Sequence, residues 1–210
     1  MLHIPFFENT TDNTHCFQAV VRMVAKFYWP EEEYSWEELD QVTGKEPGMW
    51  TWPLRGYLWL QQKGLAISMV EVFDYELFAA NGKEYLVDFV GQAVADEQDA
   101  HSNIETEMEY TKQVLEKISV TKKIPTLDDV EKAIVQEKIV ICNVNSASLN
   151  NIPGYSGHFV IVLDVRDSAV IIHDPGQPAK AQRVVSRTDF DRAWGSPAAE
   201  QKNMVVVGKR

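Results

Sequence analysis

The chain has 210 residues, 45% of them hydrophobic and 24% charged, the make-up of a globular protein with enough apolar material for a sizeable core. Its 31 acidic and 20 basic residues give a formal charge of -11, which repels phosphate backbones and anionic lipid and argues against nucleic acid or membrane partners. No run approaches the roughly 18 to 20 apolar residues of a membrane helix, "MLHIPFFENT" lacks the pattern of a signal peptide, and two cysteines make no disulfide framework, so a reduced, cytoplasmic setting is expected.

In chain order, "HIPFF" (3–7) reads as a short strand and "ENTTDNT" (8–14) as a polar loop rich in helix caps. Phe17, Val20, Val21, Val24 and Phe27 or Tyr28 recur at the i, i+3, i+4, i+7 spacing of one buried helix face, which Pro30 ends. Cys16 opens that helix. "EEEYSWEELDQVTG" (31–44) reads as an acidic turn into a short helix, with Ser35 capping it three residues before Glu38. Another helix is expected from near Pro53 to Gly64, then a strand at 66–72.

Residues 74–120 carry further helical pattern, interrupted by an acidic, exposed and flexible connection at 96–109. Thr126 and Asp129 cap a helix at 126–137 whose apolar stripe is Leu127, Val130 and Ile134. From 138 onward strands follow quickly, at 138–145, 158–166, 169–174, 183–186 and 203–209, and the short turns between them predict an antiparallel meander. Helices first and strands second make an α+β fold, read as one domain over 1–210. Its helical half spans about 8–137, its sheet half about 138–209, and a cleft lies between them.

Three residues occupy places where a side chain is presented for chemistry. Cys16 sits at a helix start, where unpaired backbone N–H groups and the helix dipole favour a thiolate. His158 begins a strand after Gly157, and Asp174 ends the next strand, 16 residues on. A hairpin turning at 166–168 returns the carboxylate to the imidazole, the arrangement in which a base activates a nucleophile and a third group orients the base. An oxyanion stabiliser would combine the Cys16 backbone N–H with a side-chain amide from the preceding loop; Asn9 is the first candidate and Asn13 the second.

Each residue alone has an ordinary reading: Cys16 as packing, His158 as a satisfied strand end, "DPG" as a turn. Cys142, inside "IVICNV", reads as core, and the group Trp50, Trp52, Tyr57 and Trp59 as core before groove. His15, Cys16, His158, His173 and Asp174 raise a metal site as an alternative, but no CxxC or HxxxH spacing occurs and strand alternation turns His173 away from Asp174. No metal or cofactor is expected.

Together "IPFFEN", "HCFQAVVRMVAKFY", "GHFVIVLDV" and "HDPG" resemble the papain-like cysteine peptidases, and within them the bacteriocin-processing, double-glycine leader peptidases and their stand-alone relatives. The resemblance runs from residue 4 to about 206, and the 142 residues between Cys16 and His158 fall within the roughly 130 to 150 of papain-type enzymes. It implies a papain-like fold, Cys16 as nucleophile, His158 as general base and then acid, and Asp174 as the orienting carboxylate. Two positions depart from the family pattern. Asn9 stands where an oxyanion glutamine is usual, seven residues before the cysteine rather than six, and Phe17 replaces a glycine and is expected to narrow the cleft.

The leading functional expectation is hydrolysis of peptide or amide bonds through an acyl-enzyme on Cys16, with a peptide or protein as partner. Acyl transfer by the same triad, and a peptide-binding domain that has lost turnover, are the alternatives. Neither the double-glycine substrate nor an oligomeric state follows from these residues.

Overall fold

The computed structural model describes residues 2–210. Helices α1 (Cys16–Tyr28), α2 (Trp36–Thr43) and α3 (Leu54–Gln62) precede strand β1 (Leu65–Glu71). Four more, α4 (Tyr75–Asn81), α5 (Lys83–Val90), α6 (Gln92–His101) and α7 (Ile104–Lys117), lead to β2 (Ser119–Lys122). Then come α8 (Leu127–Val135), β3 (Ile139–Asn145), the single turn α9 (Ser146–Leu149) and the hairpin β4 (Gly157–Val165) and β5 (Ala169–Asp174). The chain closes with β6 (Lys180–Ser186), α10 (Arg187–Trp194) and β7 (Asn203–Lys209).

Local chemistry explains most boundaries. Ser35 with Glu38, and Thr126 with Asp129, form complete capping boxes that satisfy the first N–H groups of α2 and α8. Gly64 follows α3 with φ +100°, a turn open to glycine and strained for other residues. In β4, Phe159, Ile161 and Leu163 face one side and Val160 and Val162 the other, as strand alternation requires.

The strands make one sheet in the order β2-β1-β7-β3-β4-β5-β6. The expected meander is β3-β4-β5-β6; β7 returns to pair antiparallel with both β3 and β1, and β2 adds a parallel edge. Helices cover both faces. On one, Phe17, Val20 and Val24 of α1 pack with Ile141, Ile161 and Val205. On the other, Val130 of α8 and Phe190 and Trp194 of α10 pack with Val140, Val160 and Ile172. Burial on both faces is why the central strands read as unbroken apolar runs.

Three expectations need correction. Residues 3–7 form no strand; they lie beside the sheet, with the Ile4 carbonyl accepting from His173 Nε2 (3.0 Å) instead of joining a ladder. Farther on, Asn9 N–H donates to the Pro175 carbonyl (2.9 Å) and Gln177 Nε2 to the Thr10 carbonyl (3.0 Å), so the segment is strapped across the chain's later turns. The acidic stretch 96–109 is helical, divided between α6 and α7 by the cap Asn103. Lys83 pairs with Asp96 and Asp99, and Ala95 and Ile104 join Phe78, Tyr85 and Leu86 in a satellite core. Strand β2 was outside the expected set because "SVTK" has neither apolar alternation nor length.

Of the aromatic group, Tyr57 is in the core, Trp52 stacks on Phe78 and Trp59 packs against Tyr34, while Trp50 is exposed and stacks on His101. Among the described residues no helix is long and apolar enough to cross a membrane.

Candidate active site

Cys16 is the first residue of α1, with His15 as an N-cap that supplies no side-chain hydrogen bond. The first-turn N–H groups therefore lack a capping oxygen from that residue and remain disposed toward a negative charge. Cys16 itself is half-buried and carries a free thiol. Burial pushes its pKa up, but His158, by hydrogen bond and by charge, and the backbone N–H groups of Phe159 and Phe17 outweigh this and hold the thiol below its ordinary value. Cys142, also free, lies in β3 with no such partner, and burial drives its pKa well up. One thiol is lowered and half-buried, and the other is raised and in the core.

His158 is the second residue of β4 and Asp174 the last of β5, and the hairpin joins His158 Nε2 to Asp174 Oδ1 at 2.7 Å. With Nε2 so engaged, Nδ1 is the nitrogen free to exchange a proton with the thiol. Desolvation opposes charge on the ring, yet the hydrogen bonds and charges of Asp174 and Cys16 prevail and raise His158 to about 9. Asp174 is lowered to about 2: burial opposes ionisation, and His158, Arg183 and the Gly176 N–H overcome it. Its second oxygen accepts from Arg183 Nη1 at 2.7 Å, and Arg183 Nη2 donates to the Leu149 carbonyl at 2.9 Å. The three groups form a coupled system in which the thiol and the carboxyl are lowered and the imidazole between them is raised.

Asn9 is buried behind the start of α1. Its Oδ1 accepts from the backbone N–H groups of His15 (2.7 Å) and Thr10 (2.8 Å), which fixes the amide's orientation because the nitrogen cannot accept them. Its Nδ2 donates one hydrogen to Asn13 Oδ1 (2.9 Å) and has a second to give. Asn13 is thus the support of Asn9.

Phe17 does not narrow the cleft. It is 1% exposed, T-shaped on Tyr57 and tilted on Phe159, in a space that exists because Gly56 has no side chain; a Cβ there would lie 2.6 Å from the Phe17 ring. His173 points away from Asp174, donating from Nε2 to Ile4 and accepting at Nδ1 from the Gln182 N–H. His15 lies between Asp40 (3.2 Å) and the hydroxyls of Thr10 and Thr14, outside the His158–Asp174 pair. Among the described residues no group of three or more His, Cys, Asp or Glu is arranged to hold a metal.

Sequence reasoning missed Arg183, Asn143 and Gly176. Arg183 is nine residues past Asp174, but the β5–β6 register sets it opposite Ile172 and Lys180 opposite Asp174, so its reach to the carboxylate is diagonal and only its charge was a signal in the sequence. Asn143 Oδ1 accepts from the His158 N–H (3.2 Å), a contact that only the β3–β4 register reveals. At Gly176 a Cβ would lie 3.0 Å from Asp174 Oδ1 and 3.2 Å from His158 Nε2. We expect Gly176→Ala to displace the imidazole by a few tenths of an ångström and slow Cys16 alkylation by iodoacetamide about threefold to tenfold. An unchanged rate in a folded variant would show that the pair tolerates that movement.

A family model described as the Peptidase_C39 like family matches residues 4–207. The chain belongs to the Peptidase_C39 like family. No curated protein matches it. Among solved structures it is similar to the peptidase domain of Streptococcus ComA, a bi-functional ABC transporter involved in a quorum sensing pathway, with a TM-score of 0.52 and 14% identity over 99% of this chain and 100% of that one. A putative C39-like peptidase from Bacillus anthracis overlaps 40% of this chain and 48% of its own, at 19% identity and a TM-score of 0.33. This Peptidase_C39 like protein has the α+β, papain-like fold of the ComA peptidase domain, and family and fold together make it cysteine-peptidase-like.

Proposed function

We propose that the protein hydrolyses peptide or amide bonds with Cys16 as nucleophile, His158 as general base and acid, and Asp174 as the group that orients and charges His158. The reading rests on one observation above all: a helix-start thiol held below its ordinary pKa by an imidazole that is itself held by a buried carboxylate at 2.7 Å. The Cys16 thiolate attacks the substrate carbonyl carbon, and the oxygen takes the negative charge. The Cys16 N–H and the remaining Asn9 amide hydrogen are the proposed donors to that oxygen. His158 then gives its proton to the departing amine, leaving an acyl-thioester on Cys16. His158 takes a proton from a water molecule as the water attacks the thioester, and collapse breaks the C–S bond, releasing the acid and restoring the Cys16 thiolate beside the protonated His158.

Rapid-quench mass spectrometry after adding p-nitrophenyl acetate tests the cycle without a known substrate. The expected result is an acetyl group on Cys16 that appears within the mixing time and then hydrolyses, with neither step seen in Cys16→Ala. An adduct that forms and persists would sink the hydrolase reading, because the second half of the cycle would be missing.

A further inference from the structure

The sheet end that carries His158 also opens a cavity of about 120 Å3. Glu71, Glu200, Asn143 and Tyr155 line it together with the rings of Phe73 and Phe89, and among the described residues it has no lysine or arginine in its wall. Lys122 is opposite Glu71 in the β1–β2 register, but its ammonium pairs with Asp74 instead. Glu71 accepts a hydrogen bond from Tyr75 Oη (3.0 Å) and has no cation beside it; burial raises it to about 7. The cavity is acidic and partly aromatic, and Lys202, which lies over the Trp194 ring of its wall, pairs with Asp191.

It is joined to the candidate active site through the sheet. Glu71 pairs with Asn203 across β1 and β7, Asn203 Oδ1 accepts from the Asn143 N–H (2.8 Å), and Asn143 Oδ1 accepts from the His158 N–H (3.2 Å). Asn143 and Tyr155 also flank Gly157, where a Cβ would meet them at 3.6 and 3.7 Å. Three inter-strand steps therefore separate Glu71 from His158, about 14 Å. A peptide residue advances about 3.4 Å and an extended lysine stem adds about 6 Å, so a lysine two or three residues from the scissile bond spans the distance and a short side chain there does not.

We propose that this cavity is a subsite for a lysine or arginine side chain of the peptide substrate, with Glu71 and Glu200 holding the cationic head and Phe73 and Phe89 packing its methylene stem. The aromatic walls suit a stem that is apolar along its length and charged at its tip. The proposal rests on Cys16 being the nucleophile at which the peptide is presented.

The test measures how peptides protect Cys16 from iodoacetamide. N-acetylated, C-amidated glycine–alanine hexapeptides carry one lysine, norleucine or glutamate, moved through every position. At the best position lysine is expected to protect at concentrations at least tenfold below norleucine, and Glu71→Gln to bring the two within about twofold. Glu200→Gln, at an exposed position, is expected to narrow the difference as well and carries the test if Glu71→Gln does not fold. A free-amine norleucine hexapeptide separates a terminal ammonium from a side chain; protection by it equal to lysine's overturns the side-chain assignment. Equal protection by lysine and norleucine at all positions, or stronger protection by glutamate, overturns the subsite. A Cys16 that alkylates no faster than free cysteine counts against the nucleophile instead, while the lysine-to-norleucine ratio still reads the cavity.

Discussion

In His158→Ala, alkylation of Cys16 at pH 7 is expected to fall by about a hundredfold. The wild-type thiol sits below its ordinary pKa because the imidazole outweighs burial. Remove the ring, and burial is left opposed only by the Phe159 and Phe17 N–H groups, so the pKa moves above the ordinary value. Once the pKa lies above 7, each further unit removes about nine-tenths of the thiolate at that pH. The rate–pH profile carries the same information: its inflection lies below that of a free thiol in the wild type and above it in the variant. A loss under threefold, with the inflection unmoved, would falsify the assignment of His158 as the group that sets the charge on Cys16.

Asp174→Asn acts on turnover and on stability together. The amide presents neutral oxygen or N–H to His158, so the ring loses both its orientation and the charge that keeps it protonated. Turnover of p-nitrophenyl acetate is expected to fall by about a hundredfold to ten-thousandfold. Arg183 is left nearly buried, at 14% side-chain exposure, without its counter-charge. The stability effect has a definite sign with pH. Asp174 has a folded pKa of about 2 against an ordinary 3.8, so it stabilises the fold above the unfolded value, by about 2 kcal/mol, and that contribution disappears as pH falls through 2. His158 runs the other way: raised from 6.5 to about 9, it stabilises fully below 6.5 and loses this as pH rises through 9. Urea denaturation at pH 5 to 6 should therefore show the largest gap between wild type and Asp174→Asn, narrowing toward pH 2; a gap independent of pH would mean that ionisation is not its source.

The parts of the molecule that local chemistry dictates could be read from the chain. Capping pairs marked α2 and α8, apolar spacing marked the buried face of α1, and the strand-end positions of His158 and Asp174 made a hairpin contact the natural reading. The helical spacing that assigns Phe17 to the core describes it correctly; the expectation that it constricts the cleft fails because Gly56, on another helix, makes room for it. What local pattern does not encode is pairing at a distance. The parallel edge β2, the strapping of residues 4–10 and the Asn203–Asn143–His158 relay depend on which strands become neighbours. Helix α6 was hidden for a different reason: it buries only Ala95, and its remaining composition is that of a solvated acidic run whose exposed pairs with Lys83 add little.

The strap from Ile4 to Thr10 and the hairpin that ends at Asp174 tie the surroundings of Cys16 to the last part of the chain to be made. Every group that lowers the Cys16 pKa, apart from the Phe17 N–H, lies beyond residue 157, and the carbonyl of Pro175 anchors the loop that precedes the thiol. A chain that ends at α8 has the residues of α1 but neither His158 nor the Phe159 N–H. On the proposed reading, the lowered thiol therefore comes only with the last quarter of the chain to be synthesised.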